Sequence, residues 1–137
     1  MWRELFSEKF PDAVFYPPVP DGEIEHAQAK IGLPIPADLS ELYFETNGVY
    51  FADAYMWIVW SIDDLIKENI YMHTSKDIAF YGKSFGNLLF YGSLGNGDLL
   101  AINSDLASPA EESVGIWDHE EGEYLGQVAS LRDYFDK

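Results

Sequence analysis

Apolar residues recur along this chain at two different spacings, and the change of spacing divides it. In the first half they fall three and four positions apart, the repeat of helices with one buried face. Trp2, Leu5 and Phe6 line one side of a short opening helix over Trp2–Phe10. Tyr16-Pro-Pro-Val-Pro20 reads as a stiff extended spacer, because proline fixes φ and has no N–H to donate. Asp21 is placed to cap a second helix carrying Ile24, Ala27 and Ile31, with Gly32 to stop it. Pro34-Ile-Pro36 introduces a third helix with Leu39, Leu42 and Tyr43 inward, which Asn47-Gly48 ends through a left-handed glycine.

Beyond this point the spacing shortens. Ala54 to Trp60 is rich in β-branched and aromatic residues and predicts a strand. Ser61-Ile-Asp-Asp64 resembles a capping box with Asp in place of Glu, opening a helix with Ile62, Leu65, Ile66 and Ile70. Residues 72–87 have no period and read as a loop. From Asn87 the strands resume. Asn96-Gly97 suits the centre of a type I′ hairpin turn, where both residues need positive φ. That turn sets Leu94 opposite Leu99, Gly92 opposite Ala101 and Phe90 opposite Asn103, with Ser93 meeting Leu100 and Tyr91 meeting Ile102. Both faces are largely apolar, which predicts interior strands of a sheet covered on both sides. Val114–Asp118 and Glu123–Val128 form a second hairpin around His119–Gly122. Ser130–Asp133 repeats the capping pattern before a short helix with Leu131, Tyr134 and Phe135 inward. The order predicts an α+β fold in a single domain over 1–137. N-terminal helices pack on a mainly antiparallel sheet built from C-terminal hairpins, and a short C-terminal helix closes it.

Composition narrows the function classes. Apolar residues make up 47% of the 137 and aromatics 16%, enough for a real core. The longest apolar run, Ala54 to Trp60, is far short of the ~20 residues of a membrane helix. The first ten residues mix charge through any apolar stretch, so the reading is a cytoplasmic protein without a signal peptide or membrane role. With no cysteine, disulfides and thiolate chemistry are excluded.

Charge changes the picture most. Twenty-four acidic residues against eight basic ones give −16. Between Lys83 and Arg132 there is no Lys or Arg, yet Asp98, Asp105, Glu111, Glu112, Asp118, Glu120, Glu121 and Glu123 all lie there. Such a field repels phosphate backbones and disfavours nucleic-acid binding, while attracting a basic protein.

Gly95-Asn-Gly-Asp98 lacks the lysine and the following helix of a phosphate loop, so its glycines read as a turn. Asp118-His-Glu-Glu121 is the one metal-like cluster. Asp118 and Glu120 would share a face with His119 pointing away, short of the roughly three protein ligands zinc takes. A solvated acidic turn is the better reading. There is no Gly-x-Ser-x-Gly elbow, so no catalytic residue, metal or cofactor is assigned and the protein reads as non-enzymatic.

Four blocks, in order, resemble the SMI1/KNR4 family, also called the SUKH superfamily. They are Leu33-Pro-Ile-Pro to Asn47-Gly48, Trp60-Ser-Ile-Asp-Asp-Leu65, Gly95-Asn-Gly-Asp-Leu-Leu100, and Val114-Gly-Ile-Trp-Asp-His-Glu120 with the Ser130–Phe135 helix. The resemblance implies helices packed on a sheet. It also implies an immunity protein that neutralises a cognate toxin, often a nuclease; fungal relatives are linked to cell-wall regulation. With the acidic second half, it nominates Asp98, Trp117, Asp118, Glu120, Glu121 and Tyr124 as the partner-binding residues. The alternatives are a regulatory or scaffold interaction domain without a toxin partner, and a metal-dependent hydrolase using Asp118, His119 and Glu120.

Overall fold

The computed structural model describes residues 2–74, 88–103 and 114–135. In chain order these form α1 (Trp2–Lys9), β1 (Ala13–Phe15), α2 (Glu23–Ile31), α3 (Ala37–Glu45), β2 (Val49–Phe51), a 3₁₀ turn (Ala52–Ala54) and β3 (Met56–Val59). They continue with α4 (Ile62–Thr74), β4 (Leu88–Ser93), β5 (Leu99–Asn103), β6 (Val114–Asp118), β7 (Glu123–Val128) and α5 (Leu131–Phe135). The fold is α+β, with helices before the hairpin sheet and a short helix after it.

The helices bury the faces their spacing predicts: Trp2, Leu5 and Phe6 in α1, Ile24 and Ala27 in α2, and Leu39, Leu42 and Tyr43 in α3. Ser61 and Ser130 act as caps, their hydroxyls accepting the N–H of Asp64 at 3.3 Å and of Asp133 at 3.1 Å. Two capping expectations are corrected. Gly22, not Asp21, sits at the N-cap of α2, and no side chain bonds there. Asn47 does not close α3, which ends at Thr46 with extended backbone. Instead the Asn47 Oδ1 accepts the N–H of Ile62 at 2.7 Å and so caps α4 from outside it. The side chain that looked like a stop for one helix is the start of another.

In α4, Ile70 is exposed and Asn69 is fully buried in its place. The Asn69 amide donates to the carbonyls of Leu65 and Phe90, both at 2.7 Å, and accepts the Phe90 N–H at 2.8 Å. A buried amide is stable only when so satisfied, and here it ties α4 to β4. The helix also runs to Thr74, into the segment read as loop; 75–87 lie outside the described residues.

There are two antiparallel sheets, β1-β2-β3 and β4-β5-β6-β7. The strand expected from Ala54 starts at Met56, and β1 and β2, three residues each, carried too little pattern to be predicted. β3 lies along β4, with the Trp60 N–H donating to Tyr91 O at 2.8 Å and the Ser93 hydroxyl to Trp57 O at 3.0 Å. Gly92 makes this approach possible, since a Cβ there would fall 1.8 Å from the Ile58 carbonyl oxygen.

The four-stranded sheet is covered on both faces, as its two-sided apolarity predicts. Leu89, Tyr91, Leu100, Ile102 and Val114 join the main core with α1, α2, α3 and α5. Phe90, Ala101 and Trp117 form a smaller core with Trp60 and Met72. The predicted β4–β5 register is off by one or two positions: Phe90 faces Ala101, Gly92 faces Leu100 and Ser93 faces Leu99. An irregularity between Phe90 and Gly92 takes up the extra residue.

Candidate functional site

The slip in register lengthens the first hairpin loop. The Leu94 N–H donates to Asp98 O at 3.2 Å, and the Asp98 N–H to Asn96 Oδ1 at 2.9 Å. Gly95 and Gly97 take positive φ, of 82° and 99°, but Asn96 does not. The type I′ turn is therefore replaced by a wider loop that Asn96 braces with its own side chain. Gly97 also makes room for a neighbour: a Cβ on it would lie 2.7 Å from the His119 ring.

That ring belongs to the second hairpin. Its strand ends at Asp118, whose Oδ1 accepts the N–H of Glu120 at 2.9 Å and of Glu121 at 3.2 Å. The Gly122 N–H returns to Asp118 O at 2.8 Å. This local bonding aims His119 at the first loop. Asp98 Oδ1 lies 2.7 Å from His119 Nδ1 and accepts the His119 backbone N–H at 3.1 Å. One carboxylate therefore clasps both turns. The hydrogen bond from His119 holds the Asp98 carboxyl below its ordinary pKa. The same bond raises His119 above the ordinary imidazole value, with the charges of Asp98, Glu120 and Asp118 adding to it.

The structure thus brings Asp98, Asp118, Glu120 and Glu121 onto two adjoining turns. Glu123 faces Asp118 across β6–β7. Asp105, Glu111 and Glu112 lie outside the described residues. Trp117 is only 4% exposed and packs edge-on against Phe90, with ring centroids 5.9 Å apart. Tyr124, opposite Trp117 on β7, is half-buried. The aromatic pair packs in the smaller core with Phe90, while Glu120 and Glu121 are exposed on the turn that follows Asp118.

His119, which the strand alternation pointed away from Asp118, joins it. Asp98, Asp118 and His119 can each offer one ligand atom, all within 4.8 Å of one another. Asp98 takes the place that the sequence reading gave to Glu120. The bonds to Asp98 and Asp118 already account for the trio as turn architecture, since each carboxylate accepts backbone N–H groups.

A second feature had no sequence signal at all. Beside the first loop a cleft of about 350 Å³ opens, walled by Phe10, Met56, Ile58, Leu94, Leu100 and Tyr134, with Lys9, Ser93, Gln127 and Phe135 completing it. Its residues come from six separate places in the chain, so no local periodicity marks them.

The model of the SMI1 / KNR4 family (SUKH-1) matches residues 18–137. The chain belongs to this family. No curated protein matches it. SUKH membership is consistent with an immunity-protein-like binding domain, and SUKH domains bind partner proteins. The four SUKH-like blocks acquire physical tasks here. Asn47 caps the helix that the Trp60–Leu65 block opens, and the Gly95–Leu100 block meets the Trp-Asp-His block through Asp98 and His119. No helix among the described residues is long and apolar enough to cross a membrane.

Proposed function

We propose that this protein is a cytoplasmic, non-enzymatic immunity protein that binds a cognate toxin with a basic surface and neutralises it. One observation carries the reading beyond kinship: Asp98, Asp118, Glu120 and Glu121 lie on two turns joined through the Asp98 carboxylate, which meets both the ring and the backbone N–H of His119. Preorganised negative charge steers a cationic partner and raises its on-rate. A nuclease is the toxin type that fits best, because it must present positive charge to its polyanionic substrate. Glu120 and Glu121, both exposed, make the first contacts. Asp98 and Asp118 hold the turn backbone, Tyr124 offers a half-buried edge, and Trp117, packed on Phe90, anchors the strand that ends in Asp118.

The decisive experiment is co-expression with the toxin encoded beside this gene. Rescue of growth together with co-purification of a stoichiometric complex is the expected result. A toxin that kills unhindered and elutes alone would remove the immunity role and leave a regulatory interaction domain as the reading.

A further inference from the structure

The cleft beside the acidic turns has the shape and the rim of a docking seat. Its volume, about 350 Å³, is near the lower end of the roughly 300–1,000 Å³ of ligand pockets, room for one or two side chains. Its walls are mainly apolar. One end is the first hairpin loop: Leu94 lines the cleft while its N–H bonds Asp98, and a Cβ on Gly95 would sit 3.1 Å from the Met56 sulfur. The cleft is therefore continuous with the acidic turns.

Two further acids lie close in sequence to residues that line it. Asp12 lies two residues after Phe10 and Asp53 three before Met56, and the pairing of Ala13 with Phe51 brings their segments together. The two carboxyls lie close enough that Asp53, when protonated, donates a hydrogen bond to Asp12, which raises the Asp53 pKa. Two like charges in contact are costly, and a cation brought between them relieves the cost. Tyr55 stands beside them, 87% exposed and the one non-glycine residue with positive φ (51°) among those described. Exposed aromatics beside a desolvated pocket are typical interface anchors.

We propose that this cleft receives an apolar side chain of the toxin, carried on a segment whose flanking lysines or arginines meet Asp98 on one side and Asp12 and Asp53 on the other. The inference rests on the toxin-binding reading and locates its contact.

The test is a backbone-amide NMR titration of the full chain with a synthetic peptide of alternating lysine and leucine. Two controls accompany it: a glutamate–leucine peptide and oligolysine. The lysine–leucine peptide should shift the amides of Phe10, Met56, Leu94 and Tyr134. The exposed double variant Asp12→Asn/Asp53→Asn should weaken its binding by roughly threefold to tenfold. Equal binding of the glutamate–leucine peptide would overturn the proposal. So would shifts confined to residues 95–98 and 118–122. Cleft amides that move on dilution alone would give the seat to a second copy of the chain, with the same consequence. A neutralised toxin that leaves the cleft amides unmoved defeats the cleft and spares the immunity role. A peptide that fills the cleft while no toxin is neutralised does the opposite.

Discussion

The β3–β4 junction, where the two sheets meet, and the two hairpin tips of the four-stranded sheet are held by opposite means. At the junction, backbone meets backbone: Gly92 lies under the Ile58 carbonyl, and Asn69, fully buried, bonds both the N–H and the C=O of Phe90. At the tips, charge meets charge in the open. His119 is 38% and Asp98 20% exposed in their side chains, and Glu120 and Glu121 face solvent. Burial makes the first kind of bond expensive to lose, because an abandoned buried polar group keeps its full desolvation cost. Water and salt cushion the second. Stability is therefore concentrated within β4, from Phe90 to Gly92, and the loop that follows is left free to vary in charge without unfolding.

The contrast can be broken most severely at Gly92. Gly92→Val places side-chain atoms inside the Ile58 carbonyl, and separating the strands should cost about 3 kcal/mol or more. Chemical denaturation would register this as loss of the folded baseline or a large fall in midpoint. Asn69→Ala should follow at about 2–3 kcal/mol, because it strands two backbone groups of Phe90 in the interior. Its unchanged denaturant slope would show that the fold persists.

The tips should answer more gently. Gly97→Ala forces a Cβ against His119 at a positive-φ site and should cost about 1–2 kcal/mol. It should also return the His119 titration toward 6.5, its ordinary value. In the unaltered chain, NMR should place that titration above 6.5, and Asp98→Asn should bring it back down.

The sign of the pH effect follows. The folded-state pKa of His119 is raised, so its contribution is complete below 6.5 and fades as pH climbs through the raised value. The folded-state pKa of Asp98 is lowered, so its contribution is complete above 3.8 and fades as pH drops through the lowered value. The clasp is strongest between those two ordinary values. A melting temperature that rises from pH 8 to pH 6 in the unaltered chain, and rises less in His119→Gln, is the expected pattern.

Smallest in stability is the charge reversal Glu120→Lys/Glu121→Lys, within about 0.5 kcal/mol for exposed sites. Its effect should appear in kinetics instead. Association with the proposed toxin should slow, more at low salt than at high salt. An unchanged on-rate at both salts would take these residues out of the interface.

Much of the helical half was legible because its signals are local. Apolar spacing marked the buried faces of α1, α2 and α3, and the two serine caps were read from their own segments. The two-sided apolarity of Leu88–Ser93 and Leu99–Asn103 likewise predicted a sheet covered twice. Misreadings occurred where a residue's partner is remote. Asn47 pairs with Ile62 and Asn69 with Phe90, and neither partner can be recognised from spacing. The turn at Asn96 was judged on its own preference, while a bulge near Tyr91 decided its length. For the candidate site, the acidic residues were visible, but their clasp through His119 was not. Strand alternation cannot follow a side chain once the strand has ended.

Sequence alone determined the α+β order, the SMI1/KNR4 kinship and the surplus of negative charge. These depend on which residues occur and how closely they follow one another. Tertiary structure alone decided that two turns share one carboxylate, that Trp117 packs against Phe90, and that a cleft opens beside the first loop. Each of those brings together residues from separate elements, and only the packed chain sets the distance between them.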